Sequence, residues 1–386
     1  MWRNLASNML TLLVVALIAV AGVIGWGQSQ YVAQGPLERA ICLQVPQGGS
    51  MTRVANDLAD QGAISNATIY RLGADYTGKA PQLKAGSFLI EPGSSMQEIV
   101  ATITGDGRST CGTEILYIIA VNGQEKRVRE LDPETQQFVI TAEFDPKAEG
   151  EVPPEYTAAL EDVATQYRLV VVEGVTSWQV VEGLKATEIL TGEIAEVPPE
   201  GTLAPREFAI RPGEDRNELL AEMTALQQEW LQDAWAARSE STAVDTPEEA
   251  LILASIIEKE TALAEERPLV SAVFNNRLKQ GIKLQTDPTV IYGVTEGKGV
   301  LGRGLRRSEL RARTPWNTYV IDGLPPTPIA NPGRASIEAA LNPEASEYIF
   351  FVAKSLDPRD GHNFAVTLDE HNRNVAAYRA LERAAE

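Results

Sequence analysis

A carboxylate interrupts an apolar helical pattern in the second half of the chain. From residue 246 the sequence reads TPEEALILASIIEKETALA, and its threonine cap, Pro247 and two early acids predict a helix start. Leu253, Ile256 and Ile257 recur at three- and four-residue steps, and Glu260 falls on the same face. We therefore expect Glu260 to point inward, where burial raises the pKa of a carboxyl and suits it to act as a general acid.

The neighbouring residues leave a second interpretation open. Glu260 also suits a structural role in which it pairs with an arginine such as Arg267 or Arg277. Glu258 lies on a narrower face of the helix and is expected to reach water or a basic residue. Lys259 is expected nearer the solvent.

The first apolar run is long enough to cross a membrane. Residues 9–26 contain 18 uncharged residues, which span about 27 Å as a helix. Trp26 and Tyr31 follow at the expected interface. We expect an uncleaved signal anchor, with residues 1–8 in the cytoplasm, residues 27–40 as a linker and the rest exported. A cleaved signal peptide is the alternative, and it would also export the remaining chain.

Charge and cysteine usage restrict the function further. The net charge of -19 argues against nucleic-acid binding and against broad attraction to anionic lipid. Export would permit a disulfide between Cys42 and Cys111, worth up to about 4 kcal/mol, although two free thiols remain the alternative. His362 and His371 have no partner at a metal-ligand spacing, so we predict neither a metal nor a cofactor.

A strand, a glycine turn, a polar cap and a short helix recur along the chain. The turn glycines are Gly49, Gly93, Gly174 and Gly213, and the predicted caps are Ser50, Ser95, Ser177 and Asp215. The pattern predicts two strand-helix-helix-strand modules, one at 41–105 and a second at 167–245. With KAGSF at 84–88, the first resembles LysM-like glycan-binding domains, and generic α+β packing is the alternative. Between them, residues 106–166 form an insertion without assigned chemistry, with strands predicted at 113–121 and 137–144.

The last part of the chain, residues 246–386, carries a series of ordered motifs. They read EKETALAEER, LQTDPTVIYG, TPWNTY, GLPPTPIANPG and EHNRN. This series resembles the MltG (YceG-like) family of membrane-anchored endolytic murein transglycosylases, closely over 249–379 and more loosely from 42 to 223. Together with the patterns above, it implies an α+β fold. We expect an N-terminal transmembrane helix, LysM-like α+β modules and a mixed α+β catalytic domain of the YceG-like type.

The resemblance also implies a reaction and a catalytic residue. The second glutamate of the EKE run, Glu260, would cleave the β-1,4 bond between MurNAc and GlcNAc without water, leaving a 1,6-anhydro-MurNAc end. Asp287 is a possible second carboxylate, although its place before Pro288 also suits a turn or cap. Supporting or substrate-binding candidates, each with a structural alternative, are Glu258, Thr261, Gln285, Thr286, Asp287, Tyr292, Asn317, Tyr319 and Asn331.

Location and partners follow from the same resemblance. It implies a single-pass protein of the cell inner membrane, amino terminus cytoplasmic and catalytic part periplasmic. Such a lyase would terminate the elongation of nascent peptidoglycan strands near penicillin-binding proteins or other cell-wall synthesis machinery. The alternative is a non-catalytic, membrane-tethered glycan-binding or divisome scaffold protein.

Two features depart from the family pattern or leave a choice open. Arg206 stands in EGTLAPREF where the family usually has an aspartate, which puts any role of that position in doubt. The arginines between residues 303 and 313 either meet an anionic substrate group or pair with Glu309 and its neighbours.

Overall fold

The computed structural model describes residues 2–105, 110–162 and 164–385, with side chains from residue 9 onward. Residues 106–109, at the start of the predicted insertion, lie outside this described part. The chain forms two compact units. The first unit comprises Met1–Ile115, Arg127–Phe144 and Gly150–Gln166, and the second comprises Leu116–Lys126, Asp145–Glu149 and Tyr167–Glu386.

The first helix, α1 (Trp2–Val32), is long and apolar enough to cross a bilayer. Within Met9–Val32, an 18-residue window has a mean hydropathy of 2.5, and the side chains of the stretch are almost all exposed to solvent. The helix therefore continues through residues 27–32, which were expected to belong to a linker. Tyr31, expected at the membrane interface, is instead buried in the first unit.

The rest of the first unit begins with the predicted strand-helix-helix-strand order. Its elements are β1 (Ile41–Val45), α2 (Met51–Asp60), α3 (Ala67–Tyr76), β2 (Gly86–Ile90) and α4 (Met96–Ile103), with a 3-10 turn at Ala80–Gln82. Strands β1 and β2 are antiparallel, with Leu43 opposite Phe88 in the core. Ser50 and Ser95 cap α2 and α4 as predicted. Cys42 and Cys111 are joined by a disulfide within this unit.

The predicted insertion folds as a β-meander followed by a helix. Its elements are β3 (Thr113–Ala120), β4 (Gly123–Asp132), β5 (Gln137–Phe144) and α5 (Pro154–Glu161). Strands β3 and β5 agree with the two predicted strands. The charged segment between them, expected to be hairpin-like, forms strand β4. These strands join two later ones in the order β5-β4-β3-β6-β7.

The second predicted module has only one helix between its strands. Its elements are β6 (Gln166–Val171), α6 (Ser177–Ala186), β7 (Glu207–Ile210) and α7 (Arg216–Ala236). Strands β6 and β7 are antiparallel, with Leu169 opposite Phe208. Asp215 caps α7 as predicted, but α6 is capped by Thr176 rather than Ser177. The second module therefore differs from the first in its connection.

The remaining elements of the second unit form a mainly helical body. They are α8 (Pro247–Glu260), α9 (Arg267–Lys279), α10 (Asp287–Thr295), α11 (Arg307–Arg311), α12 (Arg334–Leu341), β8 (Phe350–Ala353), β9 (His362–Ala365) and α13 (Leu368–Ala385), with a 3-10 turn at Pro358–Asp360. Helix α8 lies at the centre and packs against α7, α9, α10 and α12. Its apolar face contributes Leu253, Ile256 and Ile257 to the core of this unit.

Candidate active site

Glu260 is the last residue of α8. The helix begins as predicted, with the Thr246 side chain accepting the Glu249 N–H at 3.1 Å and Pro247 in the first turn. It ends earlier than the apolar run suggested, because Thr261 adopts an extended backbone with φ −145°. Glu260 therefore stands at the carboxyl end of a buried helix, with its own side chain half-buried.

The Glu260 carboxylate is contacted by the segment that precedes α10. The Thr286 hydroxyl donates a hydrogen bond to Glu260 Oε1. The Thr286 N–H in turn donates to Thr318 Oγ1 at 3.0 Å, which fixes the position of this buried threonine. Gln285, immediately before it, has a φ of +50°. Non-glycine residues rarely adopt such a conformation, and strained backbone of this kind is concentrated at functional sites.

The surroundings of Glu260 favour its protonated form. Burial raises the pKa of this carboxyl, and the charge of Asp287 raises it further. The hydrogen bond from Thr286 and the charges of His362 and Arg277 act in the opposite direction without cancelling the effect of burial. A carboxyl with a raised pKa keeps its proton to a higher pH, which suits it to act as a general acid.

The two arginines considered as structural partners of Glu260 are engaged elsewhere. Arg277 donates to the backbone carbonyls of Ile349 at 2.7 Å and Leu284 at 2.6 Å. Arg267 lies 3.8 Å from Glu173. Within the described part of the chain, neither arginine forms an ion pair with Glu260. Arg277 acts on it only as a nearby charge.

Glu258 occupies a different environment from Glu260. Its Oε2 accepts the backbone N–H of Gly333 at 3.0 Å, at the start of α12. Glu173 lies close by, and a side chain at position 333 would overlap its carboxylate. Burial and the nearby charge of Glu258 raise the pKa of Glu173. Glu258 thus joins α8 to α12.

Lys259 was expected near the solvent but is half-buried. Its Nζ donates to the carbonyl of Gly174 at 3.1 Å, in the turn after β6. Burial lowers the pKa of this ammonium group, whereas the carboxylates of Glu258 and Glu200 counteract that effect. Lys259 therefore connects α8 to the β6–α6 turn.

A cleft of about 390 Å³ lies beside Glu260. It is lined by Val121, Val172, Glu173, Gly174, Glu258, Lys259, Glu260, Thr261, Ala262 and Arg267. The cleft gives a ligand a route to the end of α8.

Several of the other candidate residues lie around the same region. The Tyr319 hydroxyl donates a hydrogen bond to Asp287 Oδ1 at 2.7 Å. Besides burial, the charge of Asp287 raises the pKa of Glu260, and the charge of Glu260 raises the pKa of Tyr319. Asp287, expected at a turn or cap, is instead the first residue of α10, and Thr286 is at the cap position. Tyr292 donates to Glu200 Oε2 at 3.2 Å and lies beside the ring of Trp316.

The remaining candidates hold loops together. Asn317 is fully buried and its amide donates to three backbone carbonyls, the shortest at 2.7 Å to Ala312. Asn331 is also fully buried, donating to the Val175 carbonyl and accepting the Leu203 N–H, both at 3.0 Å. Thr261 is buried and caps the turn after α8. These contacts give all three a structural role.

A buried carboxylate and an imidazole near the site were not identified from the sequence. Glu266 accepts the backbone N–H of His362 at 2.7 Å, and its other oxygen lies 2.7 Å from His362 Nδ1. The pair orients the His362 ring, whose charge acts on Glu260. The only local signal was the Glu-Arg dipeptide that ends the EKETALAEER motif.

The structure also shows the surroundings of Arg206 and of the arginines between residues 303 and 313. Arg303 forms a two-pronged ion pair with Glu309, at 2.9 and 2.5 Å, which lowers the pKa of that carboxyl to about 2. Part of the arginine cluster is therefore paired internally. Arg206 is exposed, and its guanidinium lies 5.1 Å from the centre of the Phe208 ring.

Comparison with known proteins places these features in a family context. The sequence model of the YceG-like family matches residues 43–377. The endolytic murein transglycosylase of Bacillus subtilis (strain 168) is 26% identical over 350 residues, covering 87% of this chain and 84% of the relative. That of Streptococcus pneumoniae serotype 2 (strain D39 / NCTC 7466) is 24% identical over 381 residues, covering 95% of this chain but 64% of the relative.

A solved structure is also similar. The crystal structure of a YceG-like protein from Listeria monocytogenes is 24% identical, covers 87% of this chain and 98% of its own, and has a TM-score of 0.43.

Proposed function

This chain belongs to the YceG-like family, and from that premise we propose that it is a membrane-anchored endolytic murein transglycosylase with Glu260 as its catalytic acid and base. The family match over residues 43–377 confirms the resemblance drawn from the ordered motifs. The observation that carries the residue assignment is the environment of Glu260. This half-buried carboxyl has a raised pKa and accepts a hydrogen bond from Thr286 beside an open cleft.

The proposed reaction needs one carboxyl that changes role. In the first step, protonated Glu260 donates its proton to the oxygen of the β-1,4 bond between MurNAc and GlcNAc, and the C1–O bond breaks. In the second step, the Glu260 carboxylate removes the proton from the C6 hydroxyl of the same MurNAc, and O6 bonds to C1. The products are a free GlcNAc hydroxyl and a 1,6-anhydro-MurNAc end, with no water consumed.

A single acid is sufficient because the nucleophile belongs to the sugar. Hydrolytic glycosidases of the common kinds use two carboxyl groups, one as acid and one as nucleophile or activator of water. Asp287 is the nearby second carboxylate here, and its Oδ1 is occupied by the Tyr319 hydroxyl at 2.7 Å. We assign it an electrostatic role, in which its charge helps Glu260 to retain a proton.

Substrate contact is assigned to exposed and half-buried groups, not to the fully buried asparagines. Gln285 is exposed, and Tyr292 and Tyr319 are half-buried around the site. Such neutral donors and aromatic faces suit sugar hydroxyls and acetamides. The substrate is nascent peptidoglycan outside the cytoplasm, where α1 anchors the enzyme. Penicillin-binding proteins or other cell-wall synthesis enzymes are the partners that this role would require.

The test is digestion of purified peptidoglycan by the full-length protein in detergent. Mass spectrometry of the products is expected to detect anhydro-MurNAc ends with the wild type. Glu260→Gln removes the proton donor while keeping the shape of the side chain, and is expected to lower the rate by about 10²- to 10⁴-fold.

Glu258→Gln is the matched control, because the amide oxygen can still accept the Gly333 N–H. It is expected to retain activity near the wild-type rate. Equal yields from wild type and Glu260→Gln would reject the enzymatic role and favour a glycan-binding scaffold. Loss of product with Glu258→Gln alone would reject the residue assignment but not the reaction. Reducing MurNAc ends from the wild type would show hydrolysis instead.

A further inference from the structure

Two tyrosines at the junction of α1 and α3 differ strongly in their exposure to solvent. Tyr31, at the end of the apolar run of α1, is 8% exposed and packs against Gly73 of α3. Tyr76, at the end of the short amphipathic helix α3, is 94% exposed. Leu72, one turn earlier on the same face, is 58% exposed. A large aromatic and a leucine are thus left uncovered beside the helix that is apolar enough to cross a membrane.

The contacts of α1 give the direction of α3. Gly35, just past the end of α1, lies against the carbonyl of Ala63, which precedes α3. Tyr31, one turn lower on α1, lies against Gly73 near the end of α3. Helix α3 therefore runs antiparallel to α1 and descends toward the apolar stretch. Its last residue, Tyr76, is at the end closest to that stretch.

Helix geometry places Tyr76 at the level of Trp26. From Trp26 to Tyr31 the rise along α1 is about 7.5 Å, and from Gly73 down to Tyr76 it is about 4.5 Å. Tyr76 is therefore about 3 Å above Trp26 along the axis of α1. Because the Tyr31 ring leans toward the amino terminus of α1, Gly73 and Tyr76 lie still closer to the level of Trp26. The headgroup region on each side of a bilayer is roughly 5–7 Å thick, so this level falls inside it.

We propose that Leu72 and Tyr76 form a lipid-contacting edge that seats the first unit in the headgroup layer of the bilayer spanned by α1. The proposal rests on the membrane anchoring by α1 and not on the catalytic assignment. The bilayer is the occupant that the fold indicates, because helical rise brings this edge to the level of Trp26, the last exposed aromatic side chain of the apolar run of α1. Tyrosine rings are enriched at this depth because one end is apolar and the other hydrogen-bonds to water and headgroups.

The same contacts restrict how the first unit moves. Val32 is 52% exposed next to the buried Tyr31, so an apolar side chain also remains uncovered at the end of α1. The backbone N–H of Gly35 also donates to the Gly93 carbonyl at 3.1 Å, which holds the end of α1 to the turn before α4. The first unit is therefore fixed to its anchor and held at the membrane surface.

The experiment measures lipid contact directly in the full-length protein. Tyr76→Cys is labelled with the fluorophore NBD and reconstituted into phosphatidylcholine vesicles with and without headgroup-nitroxide lipid. The native cysteines are joined in a disulfide, so the label attaches to the introduced thiol. We expect the NBD emission to be shifted to the blue and quenched several-fold more than in the matched control.

Thr68→Cys is that control, since it is exposed on the same helix but about 12 Å farther from the bilayer. A second protein labelled at Leu72→Cys retains Tyr76, and its label is also expected to be quenched. Flotation of the vesicles shows separately whether the protein is anchored. Equal quenching at positions 76 and 68 in floating protein overturns the lipid-contacting edge. Failure to float overturns the anchoring on which it rests, while peptidoglycan cleavage remains a separate measurement.

Discussion

At the scale of single residues, the proton affinity of Glu260 is set by opposing neighbours. Burial is the largest influence and raises its pKa, with a smaller contribution from the charge of Asp287. Thr286, His362 and Arg277 lower it. Because the proposed first step requires protonated Glu260, activity is expected to fall as the pH rises through this raised pKa. The alkaline side of the pH profile therefore reports on these neighbours.

Two substitutions should move the alkaline side of the pH–activity profile, its alkaline limb, in opposite directions. Thr286→Val removes a hydrogen bond that favours the carboxylate, so the pKa of Glu260 rises and the limb shifts to higher pH. Asp287→Asn removes a negative charge that favours the protonated form, so the pKa falls and the limb shifts to lower pH. The asparagine can still accept the Tyr319 hydroxyl. The measurement is the pH dependence of kcat/KM for release of anhydro-MurNAc ends.

Thr295→Val is a suitable control for the loss of a hydroxyl. Thr295 is on the same helix as Asp287, and its hydroxyl donates to the Ile291 carbonyl at 3.0 Å within that helix. Its substitution should leave the limb in place. Shifts in the same direction for Thr286→Val and Asp287→Asn would contradict the electrostatic account of Glu260.

The sequence could predict that Glu260 points inward, but not which residues act on its carboxyl group. Its inward position depends on helical periodicity, which is a local property of residues 251–260. The Glu266–His362 contact joins positions 96 residues apart through a turn and a short hairpin, and local patterns carry no such information. Asn317 and Asn331 resembled ligand-binding groups because an exposed amide and a buried loop-bracing amide look the same in sequence.

At the scale of elements, caps and periodicity predicted the first module well. Each of its helices follows a capping side chain, and each strand is a short apolar run, so local preference and final structure agree. The second module lacks the expected second helix. Residues 187–206 contain three prolines and no helical periodicity. They form neither a helix nor a strand, and Leu190 and Leu203 are buried.

The junction of α1 and α3 depends on a glycine. A β-carbon at position 73 would overlap the ring of Tyr31. Gly73→Ala is therefore expected to lower the free energy of unfolding of the first unit by about 1–3 kcal/mol, typical of overpacking. This happens even though alanine favours helix by about 1 kcal/mol. Denaturant unfolding in detergent micelles measures the change.

A double-mutant cycle with Tyr31→Ala isolates this contact. In the Tyr31→Ala background the clash is absent, so Gly73→Ala should become neutral or stabilising. The difference between the two backgrounds is the coupling energy. An equal cost of Gly73→Ala in both backgrounds would show that the alanine acts elsewhere, and the close approach of α1 to α3 would be rejected.

At the scale of the whole molecule, the two units contain different functional parts. The first unit includes α1, the lipid-contacting edge and both cysteines, whereas Glu260 and the residues that act on it belong to the second. Each unit has its own apolar core. Stability and catalysis should therefore respond separately to changes made in one unit.

Loss of the disulfide tests this separation. The bond joins residues 69 positions apart, and removing a cross-link of that length should destabilise the first unit by about 4 kcal/mol. In Cys42→Ser/Cys111→Ser, calorimetry is expected to show a lower unfolding temperature for the first unit. Peptidoglycan cleavage below both transitions should match the wild type. Reductant should reproduce the shift in the wild type and add nothing to the double variant, whereas a parallel fall of both transitions would mean that the units unfold as one.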